Sequence, residues 1–354
     1  MKVLTIIGAR PQFIKASVVS KAVAEQPKLS EIILHTGQHF DENMSSIFFD
    51  QLGIPRPDYQ LDIHGGTHGQ MTGRMLMEIE SVILKEKPDR VLVYGDTNST
   101  LAGALAASKL HVPTAHIEAG LRSFNMRMPE EINRILTDQV SDILFCPTQV
   151  AIDNLLNEGF AQKSTKMLNV GDVMQDSALF FARQATAPVD FVLPEGFILA
   201  TLHRAENTDD PVRLASIVDA LNELHATTAP VVLPLHPRTR GVIKQLGLNL
   251  NVQEIDPVGY LEMIWLLQRA GLVLTDSGGV QKEAFFFGRP CVTMRDQTEW
   301  VELVSCGANT LVGADKQMIV TTAKARIGET VHDDGNLYGG GQAATRIAQY
   351  LAAI

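Results

Sequence analysis

Short runs rich in Val, Ile and Leu recur along the chain, separated by longer amphipathic stretches. In the first half they fall at 2–7, 31–35, 90–94, 114–117 and 143–146. In the second half they fall at 166–170, 197–201, 231–235, 252–255, 272–274 and 291–294. None alternates cleanly between polar and apolar, which is how strands buried on both faces of a parallel sheet read. Strands alternating with helices predict an α/β architecture, each half one doubly wound sheet. The stretch from Pro129 predicts one of the helices. Pro129, Glu130 and Glu131 suit a helix N-terminus, and Ile132, Ile135, Leu136 and Val140 share its apolar face. Loop composition over 184–196 places a domain boundary between Asn169 and Gly196.

Composition narrows the function classes. With 354 residues, 45% of them hydrophobic, the chain has material for two cores. The 40 acidic residues exceed the 30 basic ones, for a net charge of −10. That balance argues against a nucleic-acid or membrane-surface binder. Cys146, Cys291 and Cys306 are odd in number and form no CxxC pair, so neither a disulfide framework nor a zinc knuckle is expected. The apolar run after Met1-Lys2 ends at Arg10, too soon for a signal peptide. No stretch approaches the roughly 18–20 apolar residues of a membrane span, so the expectation is a soluble, cytoplasmic protein.

The polar residues are unusual in where they fall. Eight strand-like runs end in polar clusters: Gly8-Ala9-Arg10-Pro11-Gln12, His35-Thr36-Gly37-Gln38-His39, Gly95-Asp96-Thr97, Glu118-Ala119-Gly120, His203-Arg204, His236-Pro237-Arg238, Asp276-Ser277-Gly278-Gly279 and Arg295-Asp296. Open α/β sheets bind ligands outside the carboxyl ends of their strands. The clusters therefore predict one cleft served by both halves.

Each cluster has a chemical reading. Ser277-Gly278-Gly279 lies where a strand gives way to a helix, and free N–H groups there favour a phosphate. Glu283, further into that helix, is placed to accept ribose hydroxyls, or the segment is an N-cap serine with a surface Glu. Arg10 and Lys15 suit a diphosphate, or are a pair of solvated cations. His203 and His236 end successive strands and suit charge stabilisation or acid catalysis at a leaving phosphate. Asp96, Glu118 and Glu131 are the acid–base candidates; three carboxylates around one pocket would repel and raise at least one pKa. For Glu131 an ion pair with Arg134 is the competing reading, and Glu130 reads as a helix-dipole partner. No GxxxxGK[ST], HExxH or GxSxG motif occurs. The GxGxxA match at Gly339-Gly340-Gly341-Gln342-Ala343-Ala344 has no room for a βαβ unit after it. The residues call for no metal and no nicotinamide cofactor.

These motifs, with His116-Ile117-Glu118-Ala119-Gly120-Leu121-Arg122, Pro129-Glu130-Glu131-Ile132-Asn133-Arg134 and His203-Arg204-Ala205-Glu206-Asn207, resemble the non-hydrolysing UDP-N-acetylglucosamine 2-epimerase family. The resemblance runs in order over essentially the whole chain. Residues 62–73 and 298–304 resemble a branch acting on a UDP-2,3-diacetamido-2,3-dideoxyglucuronate in O-antigen synthesis. The resemblance implies a GT-B-like fold, two Rossmann-like domains facing a central cleft, over residues 1–168 and 169–340. A C-terminal helix near 341–354 would return to the first domain. It implies a homodimer acting on a UDP-amino sugar, with no nucleic-acid or membrane partner.

Its motif roles fall on Arg10, Lys15, His203, Ser277, Gly279 and Glu283 for UDP, and on Asp96, Glu118, Glu131 and His203 for chemistry. The chain departs from the family at Glu299-Trp300-Val301-Glu302, where many members read Glu-Arg-Pro-Glu. The second-site activation of some members, which uses an Arg-Gln pair, is not carried over, because the region reads Thr67-His68-Gly69-Gln70. The implied reaction is anti elimination of UDP across C1–C2, then re-addition with a proton delivered to the other face. A sugar carboxylate calls for an arginine. Arg122, Arg127, Arg204 and Arg238 each follow a strand-end motif, although each equally suits the diphosphate or Glu131. A plain UDP-N-acetylglucosamine 2-epimerase, a GT-B glycosyltransferase and a nucleotide-sugar sensor stay open as alternatives.

Overall fold

The computed structural model describes residues 1–38, 56–189, 192–333 and 336–354. His39 lies outside them, and Arg10 is described by its backbone alone. The chain divides into two compact units, residues 1–177 with 336–354, and residues 178–335.

The first unit is built from β1 (Lys2–Ile7), α1 (Arg10–Ala24), β2 (Ser30–His35), β3 (Tyr59–Gln60), α2 (His68–Glu86), β4 (Arg90–Tyr94), α3 (Asn98–Lys109), β5 (Thr114–Ile117), α4 (Pro129–Val140), β6 (Ile143–Cys146), α5 (Gln149–Asn157), β7 (Lys166–Asn169) and the start of α6 (Val173–Ala182). Its strands run in the order β3-β2-β1-β4-β5-β6-β7. All the pairs are parallel. The second unit holds β8 (Ile198–Thr201), α7 (Ala205–Thr208), α8 (Pro211–Thr227), β9 (Val231–Pro234), α9 (Pro237–Gln245), β10 (Gln253–Ile255), α10 (Tyr260–Leu267), β11 (Leu272–Thr275), α11 (Gly278–Phe286), β12 (Cys291–Thr293), α12 (Val301–Ser305), β13 (Asn309–Leu311) and α13 (Lys316–Arg326). Its parallel sheet has the order β10-β9-β8-β11-β12-β13.

Both are doubly wound orders, with the switch point between β1 and β4 in one unit and between β8 and β11 in the other. The expected α/β fold of two Rossmann-like sheets is what the chain adopts. The physical basis is plain in β4, where Val91, Leu92, Val93 and Tyr94 are all fully buried. Every expected strand is present. Two were not expected, β3 and β13, which are short strands at sheet edges.

One helix differs from its expected packing. Only part of the apolar stripe of α4 packs inward: Ile132 and Leu136 are exposed and Ile135 and Val140 half-buried, while Glu131, Asn133, Arg134, Thr137 and Asp138 are buried. The arrangement is possible because the buried charges are partnered. Arg134 pairs with Asp96 and Glu131, and Asp138 with His116 and Arg122.

The C-terminal helix, Ala343–Ala353, belongs to the first unit and packs on α1. Asp176 caps it, accepting from the Ala343 and Ala344 amides at 3.1 and 2.7 Å. Among the described residues no helix is long and apolar enough to cross a membrane.

Candidate active site

In the first unit the candidates gather at the ends of β1, β4 and β5 and on α4. Gln12 links two of these ends. Its side-chain oxygen accepts from the Gly8 and Ala9 amides at 2.8 and 3.0 Å. Its nitrogen donates to the Tyr94 carbonyl at 2.8 Å and to Thr97 and Thr100 hydroxyls at 3.0 Å. Lys15, on α1, is buried and ion-paired with Glu118. Asp96 follows β4 and accepts from Arg134 Nη2 at 2.7 Å. Arg134 also donates to Glu131, and the charge of Glu118 helps to raise its pKa. The three carboxylates therefore surround one guanidinium.

Each carboxylate is paired with a cation, which lessens the repulsion expected among them. They also differ in access. The Asp96 side chain is 35% exposed, against 9% for Glu118 and 1% for Glu131. Glu131 accepts from the Ser123 amide at 3.0 and 3.1 Å and the Phe124 amide at 2.8 Å. It is buried, ties down the loop before its own helix, and makes the ion pair with Arg134 that its spacing allowed.

Arg122 is also placed differently from expectation. Its guanidinium lies 2.6 and 2.8 Å from the two oxygens of Glu158 and 2.7 Å from Asp138 Oδ2. With its side chain 1% exposed, it is committed to these partners and is withdrawn as a sugar-carboxylate ligand. Arg127 is exposed on the loop before α4.

In the second unit the strand ends of β8, β9 and β11 carry the candidates. Asp276, fully buried after β11, accepts from the backbone amides of His203 and Arg204 at 3.0 and 2.9 Å. It also lies 3.1 Å from His203 Nδ1. Burial alone would raise its carboxyl, but the His203 ring and these amides hold it below the usual carboxylate range. The His203 side chain itself is about half exposed, so its Nε2 is the atom offered outward. The sequence pointed to His203, but not to Asp276 as the group that orients it. The signal was an acidic residue at the end of the adjacent strand β11.

Ser277 caps α11, accepting from the Val280 amide at 3.5 Å. A Cβ at position 278 would stand 2.4 Å from Glu299 Oε1, so any larger residue there would displace the Glu299 side chain. Glu283 is buried on the same helix. His236 caps α9, its Nδ1 accepting from the Arg238 amide at 3.3 Å. Arg238 pairs with Asp209 at 2.8 Å on the surface, and the Arg204 side chain is half-buried.

A cavity of about 470 Å³ past the end of β10 is lined in part by Arg240, Glu254, Asp256 and Pro257. It was not expected, although Asp256 is another polar residue at a strand end. At the family's divergent position, Trp300 is buried, with Lys282 Nζ 3.9 Å from its ring centre. No group of three or more metal-ligating side chains forms among the described residues.

Residues 21–352 match the family described as UDP-N-acetylglucosamine 2-epimerase. The chain is 82% identical over 354 residues to a Pseudomonas aeruginosa protein named UDP-2,3-diacetamido-2,3-dideoxy-D-glucuronate 2-epimerase, covering 100% of both chains. It is 44% identical over 365 residues to the UDP-N-acetylglucosamine 2-epimerase of Methanocaldococcus jannaschii, covering 99% of both. The crystal structure of that organism's enzyme in complex with UDP-GlcNAc and UDP matches with a TM-score of 0.89 at 43% identity, over 100% of both chains. The Neisseria meningitidis enzyme bound to UDP-GlcNAc matches with a TM-score of 0.88 at 31% identity, again over 100% of both. The chain belongs to the UDP-N-acetylglucosamine 2-epimerase family, a family of isomerases.

Proposed function

We propose that this chain inverts C2 of a UDP-amino sugar, and that its substrate is UDP-2,3-diacetamido-2,3-dideoxyglucuronate, converted from the gluco to the manno form. The observation that carries the reaction class is the group of three carboxylates around Arg134, completed by Lys15, at the strand ends of the first unit. C2–H has no adjacent carbonyl and is not acidic. Inversion therefore proceeds by loss of the C2 proton to a carboxylate as the C1–O bond to UDP breaks, leaving a glycal. UDP then adds back at C1 while a proton reaches C2 on the opposite face. Asp96, with the greatest access of the three, is one of the acid–base groups, and Glu118 and Glu131 are the candidates for the other.

The second unit supplies the nucleotide groups. Ser277, Gly278 and Gly279 form the N-terminus of α11, suited to a phosphate, and Glu283 is assigned to the ribose. His203, oriented by Asp276, stabilises the departing UDP. Arg10, Lys15 and His236 are assigned to the diphosphate. The substrate choice is supported by the 82% identity to the Pseudomonas aeruginosa protein. The product is a precursor for surface O-antigen assembly in the cytoplasm, and the working form is a homodimer.

Turnover in D2O followed by NMR tests the reaction: deuterium is expected at C2. Asp96→Asn, Glu118→Gln and Glu131→Gln should each slow epimerisation far more than they weaken UDP binding. Normal rates in all three exclude these carboxylates.

A further inference from the structure

Asp96 and Glu118 follow strands β4 and β5, and Glu131 sits on α4, so their spacing depends on how these elements are tied together. His116, fully buried on β5 between β4 and β6, is bonded to the other two. Its Nε2 lies 2.7 Å from the carbonyl of Gly95, the residue before Asp96. Its Nδ1 lies 2.7 Å from Oδ1 of Asp138, two turns beyond Glu131 on α4. Glu118 follows His116 by two residues. The other Asp138 oxygen accepts from the Gly120 amide at 3.2 Å and from Arg122 at 2.7 Å, and so holds the loop that leaves Glu118.

A hydrogen count sets the direction of the bond to Gly95. The Gly95 carbonyl only accepts, so Nε2 carries a hydrogen. Burial alone would raise the Asp138 carboxyl, but the His116 ring and the Arg122 guanidinium hold it below the usual range. Gly95 is gripped at both ends: its amide donates to the Ile117 carbonyl at 2.9 Å, and its carbonyl accepts from the ring. Its φ of +62° is left-handed, and a Cβ there would stand 3.2 Å from Glu118 Oε2. The peptide leading into Asp96 is thereby fixed against Glu118.

We propose that His116, oriented by Asp138, is a positioning residue for epimerisation, clamping the Gly95 carbonyl and so setting Asp96 against Glu118 and Glu131. The proposal rests on the 2-epimerase reading for its kinetic test. Two substitutions separate the two bonds. A glutamine amide reaches the place of Nε2, keeping a donor for Gly95 and leaving Asp138 without its ring partner. An asparagine amide takes the place of Nδ1, keeping a partner for Asp138 and releasing Gly95.

His116→Asn is expected to lower kcat on the order of 10²-fold with KM changed by less than about threefold, while His116→Gln keeps kcat within about fivefold of the parent. Full kcat in His116→Asn overturns the proposal, as do equal losses in both variants that follow their melting temperatures. If neither variant folds, NMR of the unsubstituted protein labelled with 15N-histidine decides. A slowly exchanging N–H at Nε2 of His116 supports the clamp, and a ring whose Nε2 carries no hydrogen overturns it. A parent enzyme that fails to epimerise any UDP-amino sugar refutes the functional reading, and the NMR measurement then judges the clamp separately.

Discussion

Asp276 illustrates how a single buried carboxylate organises a reactive neighbour. It takes two backbone amides and the His203 ring at once, so the histidine's backbone and imidazole are fixed by one group. Asp276→Asn retains an acceptor for the amides and loses the charge facing Nδ1. The expected outcome is kcat lowered by about 10–100-fold, a common cost of losing an orienting partner, with UDP affinity by calorimetry nearly unchanged. A normal kcat would remove His203 orientation from the mechanism. His35 carries a different prediction. It is buried at the end of β2 and stacked on Phe13 at 4.9 Å. Burial lowers its pKa from 6.5 to about 4. The unfolded chain therefore binds a proton below about pH 6.5 that the folded protein refuses until about pH 4. Stability should fall as pH drops through that window, by up to about 3 kcal/mol from this residue. Melting curves from pH 7.5 to 4.5 should be flatter for His35→Leu than for the parent, and parallel curves would assign the acid sensitivity elsewhere.

Helix α4 carries the clearest lesson at the scale of elements. Periodicity reveals that a helix has an apolar stripe, but not which stripe lies inside. Here the polar stripe is inside, because Arg134 and Asp138 find partners on β5 and the loops after β4 and β5, and Glu131 pairs with Arg134. The partners beyond the helix are set by tertiary structure and leave no mark in the helix's own sequence. The central strands were legible because burial on both faces makes them continuously apolar; β3 and β13, two and three residues long, were too short to show. The exposed part of the stripe has a consequence. Ile132 and Leu136, with Phe124 and Met126 on the preceding loop, expose large apolar side chains, and a second copy of the chain is the proposed cover. The parent is expected to run at twice its chain mass of 38.7 kDa in light scattering. The double variant Ile132→Glu, Leu136→Glu should run as a monomer with an unchanged circular dichroism spectrum. A variant that stays dimeric would place the interface on another face.

At the scale of the whole molecule, strand-end polar clusters made most of the candidate residues legible in each half, since an open α/β sheet offers its ligands the carboxyl ends of its strands. Commitments hidden by folding were not legible: Arg122 looked available and is held by Glu158 and Asp138, while the motifs holding Asp276 and His116 gave no sign that one meets the His203 ring and the other the Gly95 carbonyl and Asp138. The last question is which unit grips the sugar at C6. With Arg122 withdrawn, Arg127 remains in the first unit and Arg204 and Arg238 in the second. Arg238 pairs with Asp209 at an exposed site, a contact weak enough to be exchanged for a ligand. A guanidinium binds a carboxylate through two parallel hydrogen bonds, which the hydroxymethyl of plain N-acetylglucosamine cannot complete. Hydrogen bonds to a charged group contribute about 1.5–3 kcal/mol, so kcat/KM should favour the uronate by roughly 10–100-fold. Changing each arginine to methionine should abolish that preference at one position and leave turnover of the plain sugar nearly intact. If the parent enzyme turns over UDP-N-acetylglucosamine as well as the diacetamido-uronate, no arginine is reserved for C6. The uronate assignment then falls, while inversion at C2 by the carboxylates of the first unit still stands.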